Sequence, residues 1–281
     1  MPARDHQNSK LETRNSKLIS SRDNSLLRRA RSVRDGKDED FIFVEGLRLC
    51  EEAVTSGLEI EAVIYSDQII RKDRPAALIK HATAVAKAEG VASEKLLESI
   101  SYTKTPQGIV VLAKRPLHDE ESFAAKQPKT PLIVILNEIN NPVNVGAILR
   151  TAEGAGATGI IATARTADPF SPKALRGAMG SAFRLPVWSG SSFDKAITWC
   201  SSRKIRTVAA DLSASTDYHE VNWRKPQALV VGRESTGLSS GELALADAVV
   251  RIPMQGAAES LNVAVAAGII LFEAARQRAQ K

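Results

Sequence analysis

Three short polar segments hold the residues of this chain best suited to chemistry. The first reads Asn137-Glu-Ile-Asn140-Asn141-Pro-Val-Asn144-Val-Gly146-Ala-Ile-Leu-Arg150-Thr-Ala, the second Gly232-Arg-Glu234-Ser-Thr-Gly237-Leu238, and the third Ile252-Pro-Met-Gln-Gly256-Ala-Ala-Glu259-Ser260-Leu261-Asn262-Val263. Each follows an apolar run that reads as a strand, and the carboxyl ends of strands are where open α/β sheets hold ligands. Their glycines let backbone approach a ligand closely, and their amides, hydroxyls and carboxylates orient it. In a regular helix opened by Pro142, Arg150 lies about 9 Å along the axis from Asn144. Taken singly, each segment also has an ordinary structural reading: Asn141 as a helix cap, Glu234 as a turn carboxylate, Ser260 to Asn262 as a capping stretch. Three such loops at one end of one sheet are harder to explain that way.

Competing chemistries find little support. Gly154-Ala-Gly156-Ala-Thr-Gly159 satisfies the spacing G-x-G-x-x-G, but a dinucleotide fingerprint follows a strand and opens a helix, whereas this one follows a helix and opens a strand. It reads as a helix end and a turn. No phosphate-binding loop with its lysine and no G-x-S-x-G elbow occurs. Two cysteines, Cys50 and Cys200, far apart and without ligand-spaced partners, argue against a disulfide scaffold, a zinc site or a four-cysteine cluster. The expectation is therefore no metal.

The loops need a frame. Apolar runs at Leu132–Leu136, Gly159–Thr163, Thr207–Ala210, Ala228–Val231 and Ala248–Ile252 alternate with helical patterns and predict a parallel sheet covered on both faces. A closing helix over about Glu259–Gln277 begins with small residues, Ala264, Ala266, Ala267 and Gly268, that admit a second backbone. Upstream, strand-like Phe41–Val44, Ala62–Tyr65 and Gly108–Leu112 alternate with helical Leu47–Thr55 and Ala76–Ala88, predicting a small α/β unit. Charges and Pro116, Pro128 and Pro131 between the units read as a linker. The expected division is a basic arm over 1–34, a small α/β domain over 35–115, a linker over 116–130 and the loop-bearing domain over 131–281.

Composition fits a folded protein: 281 residues, 43% hydrophobic and 25% charged. The longest apolar stretch, Val263–Phe272, is too short to span a bilayer, and the polar start lacks the apolar core of a signal peptide, so a cytoplasmic protein without a membrane partner is expected. The formal charge of +6 is localised: residues 1–34 hold nine basic and three acidic side chains, which is the whole excess. Such an arm suits phosphate neutralisation, and equally a solvated terminus.

In order and spacing the three loops closely resemble the motifs of the SpoU (TrmH) family of SPOUT RNA methyltransferases. The matching stretches are N-N-P-x-N-x-G-A-I-x-R-T-A at 140–152, G-x-E-x-x-G-L at 232–238 and I-P-M-x-G-x-x-E-S-L-N-V-x-V-A-A-G at 252–268. Leu175–Pro186, Phe43-Val-Glu45-Gly46 and Thr105-Pro-Gln107-Gly108-Ile look like the same family, the last two like its ribosomal-protein-like substrate domain. The resemblance covers roughly residues 20–278. It implies an α/β fold with a deep trefoil knot in the C-terminal domain, a homodimer formed through that domain, and transfer of a methyl group from S-adenosylmethionine to a ribose 2′-hydroxyl. Ribosomal RNA is favoured as substrate, with a transfer RNA enzyme or a non-catalytic RNA-binding protein as alternatives. The family's catalytic arginine falls on Arg150 and its other active-site positions on Asn144, Glu234, Ser260 and Asn262. Its cofactor contacts fall on Gly232, Ile252 and Leu261. Because guanidinium stays charged, Arg150 is expected to act as an electrostatic clamp rather than as a base. Arg233 stands where asparagine is common in the family and is expected to add charge beside the site. Arg22, Arg28, Arg29, Arg31 and Arg34 are the expected contacts to RNA phosphates.

Overall fold

The computed structural model describes residues 17–280 except Lys72, Leu117 and Ala258. The first part of the chain builds β1 (Lys17–Ile19), α1 (Ser25–Arg34), β2 (Phe41–Glu45), α2 (Leu47–Thr55), β3 (Ile60–Ser66), α3 (Asp73–Val85), β4 (Ala88–Ala92), α4 (Glu94–Glu98) and β5 (Ile109–Lys114). Its five strands lie in the order β1-β4-β3-β5-β2, parallel from β1 to β3 and antiparallel beyond. The second part runs α5 (Glu120–Ala125), β6 (Leu132–Leu136), α6 (Pro142–Gly154), β7 (Gly159–Thr163), α7 (Pro172–Ala178), α8 (Ser181–Arg184), β8 (Val187–Ser191), α9 (Phe193–Ser202), β9 (Arg206–Ala210), β10 (Thr216–Asp217), β11 (Gln227–Val231), α10 (Ser240–Leu245), β12 (Ala248–Arg251) and α11 (Val263–Ala279). Its seven strands are all parallel, in the order β10-β12-β9-β11-β6-β7-β8.

The apolar runs are continuous because both sheet faces are covered. Leu132, Val134 and Leu136 of β6 face the cluster that holds α6, α7 and α11, while Ile133 and Ile135 face the one that holds Phe123, Trp188 and Trp199. The order of strands, β12-β9-β11-β6, places four carboxyl ends side by side. Val231 pairs with Leu136, and the Asn137 amide continues the ladder to the Val231 carbonyl at 2.9 Å. After β12 the chain crosses back so that α11 packs on α6 and β11. Near the end of α11, Arg278 donates to the carbonyls of Thr130, Pro131, Trp223 and Lys225, the chain leading into β6 and β11.

Four expectations change. Residues 17–34 belong to the small domain: β1 pairs with β4, and Leu27, Ala30 and Val33 of α1 are buried, so of the expected arm only the stretch before Lys17 lies outside the described residues. Ala88 opens β4 rather than ending a helix, and β8 and β10 join the large sheet, where the sequence reading placed no strands. The linker contains α5, capped by Asp119, with Phe123 fully buried 5.3 Å from the Trp199 ring and 6.0 Å from that of Trp188. The closing helix starts at Val263, and its small residues serve the chain itself: Ala267 is buried and Gly268 faces Thr151 of α6.

Candidate active site

Helix α6 begins sharply. The Asn141 side chain accepts from the Val143 amide at 3.0 Å and Pro142 supplies a preset φ, so Asn144 sits on the first turn with its side chain buried. Two helices meet closely here. A Cβ at Gly146 would strike the Ala174 carbonyl and stand 3.0 Å from Gly177 Cα, so α6 and α7 approach in a way only glycine allows. The loop after β11 is equally tight. A Cβ at Gly232 would meet Gly237 C and Leu238 Cγ at 2.8 Å, and the Gly237 amide closes back on the Arg233 carbonyl at 3.0 Å. That closure presents Glu234 to the start of α6.

Glu234 accepts from the amides of Asn140 (3.3 Å) and Asn141 (3.1 Å) and from Asn144 Nδ2 (3.2 Å). Burial pushes its pKa up, but these bonds and one from its own backbone outweigh that, and the group stays below its usual range. A carboxylate so satisfied is a positioning group, not a proton acceptor. Asn144 Oδ1 in turn accepts from Asn262 Nδ2 at 3.2 Å, while Asn262 Oδ1 caps α11 through the amides of Ala264 (2.9 Å) and Val265 (3.4 Å). One chain of hydrogen bonds, Glu234–Asn144–Asn262, thus ties the three loops together.

Two clefts meet at Glu234, the first link of this chain. One, of about 500 Å³, is bounded by Val231, Gly232, Val250, Ile252 and Leu261, with Asp211, Ser213, Thr236 and Glu259 among its polar groups. The other, of about 660 Å³, is lined by Asn140, Asn144, Lys173, Ser260 and Asn262. Glu234, Ser260, Leu261 and Val263 border both. The first lies within the usual range of small-molecule sites, about 300–1,000 Å³. Gly232, Ile252 and Leu261 therefore gather in one cleft and Asn144, Glu234, Ser260 and Asn262 around the other. Arg150 does not join them: it lies further along α6, exposed, outside both clefts and without a hydrogen bond or ion pair among the described residues. Sequence reasoning missed the loop Asp211–Ser213, although it too follows a strand end, and it missed Lys173.

The charges beside and upstream of the site are largely paired. Arg233 borders the first cleft, but its guanidinium is engaged, donating to Glu138 at 2.8 Å and to both oxygens of Glu242 at 2.9 and 3.0 Å, so it braces the loop instead of adding free charge. In the basic stretch, Arg29 is paired with Glu61 (2.7 Å), Arg34 with Asp35 (2.8 Å), and Arg31 donates to the Arg22 carbonyl (2.7 Å). Arg22 and Arg28 are exposed. Arg4, Lys10 and Arg14 lie outside the described residues.

A parallel α/β sheet with a small-molecule cleft beside a polar one, joined to a second α/β domain, suits an enzyme that brings two substrates together. The chain belongs to the SpoU rRNA methylase family, whose model matches residues 131–272, and an MRM3-like substrate-binding domain model matches residues 26–111. It is 31% identical over 240 residues to the 23S rRNA (uridine(2479)-2′-O)-methyltransferase of Streptomyces viridochromogenes, covering 84% of this chain and 82% of that one. It is 33% identical over 214 residues to the 23S rRNA (guanosine-2′-O-)-methyltransferase RlmB of a Burkholderia species, covering 75% and 87%. The structure of an AdoMet-bound rRNA methyltransferase from Sinorhizobium meliloti matches with a TM-score of 0.80 at 31% identity, over 93% of this chain and 98% of that one.

Proposed function

We infer that this chain is an S-adenosylmethionine-dependent RNA methyltransferase that methylates a ribose 2′-hydroxyl in ribosomal RNA. The observation that carries the reading is the Glu234–Asn144–Asn262 chain, which locks two clefts against one another. The smaller cleft fits the cofactor chemically. Val231, Val250, Ile252 and Leu261 offer an apolar slot for adenine, and Asp211 and Glu259 offer acceptors to the ribose hydroxyls and the ammonium group. When bound, the cofactor supplies an electrophilic methyl group.

The chain's own residues do the rest. Gly232, Ile252 and Leu261 hold the cofactor. Asn144, Ser260 and Asn262 orient the acceptor ribose, and Glu234 keeps Asn144 and the loop at residues 140–141 in register. Arg150, exposed and unpaired among the described residues, is available to a substrate phosphate and to the charge that builds on the attacking oxygen. Arg22 and Arg28 remain open to RNA phosphates, while Arg29, Arg31 and Arg34 reach them by exchanging their present partners.

The strand order and the return of α11 between the segments preceding β6 and β11 support a trefoil knot in the C-terminal domain. A stripe on α11, Val265 (52% exposed), Ile269 and Phe272 (56% exposed), at i, i+4 and i+7, supports a homodimer through that domain. We place its action in the cytoplasm as part of this proposal. No helix among the described residues is long and apolar enough to cross a membrane.

With labelled S-adenosylmethionine and unmodified ribosomal RNA, wild type transfers label. Arg150→Ala should lower kcat by about 100- to 1,000-fold, as loss of a transition-state donor does, and leave cofactor affinity unchanged. Wild-type turnover in that variant contradicts the assigned role.

A further inference from the structure

A third cleft, of about 270 Å³, opens between the two domains and is bordered by Arg48, Thr103, Thr105, Gln107 and Arg176. Three stretches singled out in the sequence but absent from the active site converge on it: Glu45-Gly46, Thr105–Gln107, and the Arg176–Met179 segment. Its one acid, Glu45, is turned inward, accepting from Ser101 Oγ, the amides of Tyr102 (2.9 Å) and Thr103 (3.2 Å), and Thr103 Oγ1 (2.9 Å). Glu45 therefore shapes the loop bearing Thr103 and Thr105 and leaves no open carboxylate in the cleft.

The cations are not neutralised. Arg48 and Arg176 are exposed and, among the described residues, make neither an ion pair nor a hydrogen bond, in contrast to Arg29, Arg74, Arg184 and Arg233. The acids that follow Arg48 one turn on along α2 are engaged elsewhere: Glu51 by Arg74 at 2.6 and 2.8 Å, and Glu52 by Arg184. Holding like charges together without counterions raises the free energy of the empty protein, and an anion removes that cost. Among the described residues no aromatic ring lines the cleft, so it offers donors for a phosphodiester rather than a platform for a base.

One helix links this cleft to the active site. Lys173, exposed on the first turn of α7, lines the polar cleft, and Arg176, one turn on and on the same face of that helix, lines the interdomain cleft. The Gly146–Gly177 contact fixes α7 against the helix carrying Asn144, so the spacing between the two clefts is rigid.

We propose that the interdomain cleft seats the RNA backbone: Arg48 and Arg176 hold a phosphodiester flanking the target nucleotide, and Lys173 guides the strand from there to the acceptor ribose. This rests on the reading of the chain as an RNA methyltransferase. It adds that the track, and not only the first domain's surface, sets how far from the grip the methylated nucleotide lies.

The test is the salt dependence of RNA affinity, measured on the full chain with unmodified large-subunit ribosomal RNA as probe. In Arg48→Ala/Arg176→Ala the slope of log affinity against log salt should become shallower by about 1, for the one phosphodiester the pair neutralises, and with Lys173→Ala combined with it by about 1 more. The double variant should raise RNA Kd and KM by about 10-fold or more at moderate salt, with kcat and S-adenosylmethionine affinity held. Replacement of both arginines by lysine should restore most of the slope, which a purely structural role would not do. A double variant with wild-type slope and Kd overturns the proposal. The slope is read without reference to the methylated atom, so methyl found on a base with the slope change intact removes the ribose assignment and keeps the track.

Discussion

Asn141 and Asn262 each do two jobs, and this is why the residue scale was half legible. As caps they are ordinary: one side-chain oxygen on the first free amides of α6, the other on those of α11. Their neighbours make them more than caps, since Asn262 spends its amide on Asn144 and Glu234 gathers the amides before α6. Spacing announced polar loops at strand ends; the partnership of Asn144 with both Glu234 and Asn262 spans up to 118 residues and is a product of topology. Arg233 shows the opposite limit. Its type suggested open charge, but Glu138 and Glu242 arrive from other segments and absorb it. Its guanidinium holds Glu242 down at about 2, from an ordinary 4.5. A carboxylate depressed on folding adds stability above its unfolded pKa and loses it as pH falls towards its folded one. Thermal melts of wild type and Arg233→Ala should therefore differ at pH 7, the wild type being more stable, and converge between about 4.5 and about 2. A Tm gap independent of pH would show that Glu242 owes its low pKa to other partners.

At the scale of elements, the parallel strands were legible because burial on both faces makes them uninterrupted apolar runs. The five runs read from the sequence correspond to β6, β7, β9, β11 and β12 within a residue at each end. The strands that escaped have other textures. In β4, Ala88-Glu-Gly-Val-Ala lies next to the short β1 and continues the helical pattern of α3 on paper, and β10 is two residues long. The decoy glycines behave as their context required: α6 ends at Gly154, Gly156 takes φ +79°, and β7 starts at Gly159. The linker was misjudged because its prolines and charges dominate the reading, while the single residue that matters, Phe123, is packed by Trp188 and Trp199. Gly159 leaves room for it, since a Cβ there would stand 2.7 Å from the Phe123 ring. Phe123→Ala should lower the unfolding free energy by about 3–5 kcal/mol in denaturant titrations. A loss under about 1 kcal/mol would make α5 a passive connector after all.

On the scale of the molecule, the two units foreseen from the sequence share one apolar cluster, running from Ile42 and Val44 of β2 through Leu49 and Ala53 of α2 to Leu175 and Phe183 beside the large sheet. The interface is also clamped by Arg184, which pairs with Glu52 of the first unit and Glu153 of the second. Nothing in local periodicity reports such a contact, and without it the interdomain cleft has no fixed shape. The dimer proposed through the α11 stripe is tested by sedimentation: wild type should run as a dimer at micromolar concentration and Phe272→Glu as a monomer, and a monomeric wild type would contradict the proposal. The central claim is that the locked pair of clefts methylates ribose in ribosomal RNA. Its most direct test is to incubate the protein with S-adenosylmethionine and unmodified ribosomal RNA, digest the RNA to nucleosides, and identify the methylated product by mass spectrometry. A single 2′-O-methylated nucleoside, absent with Asn144→Ala, is the expected product; a methylated base with unmodified ribose would contradict the assignment.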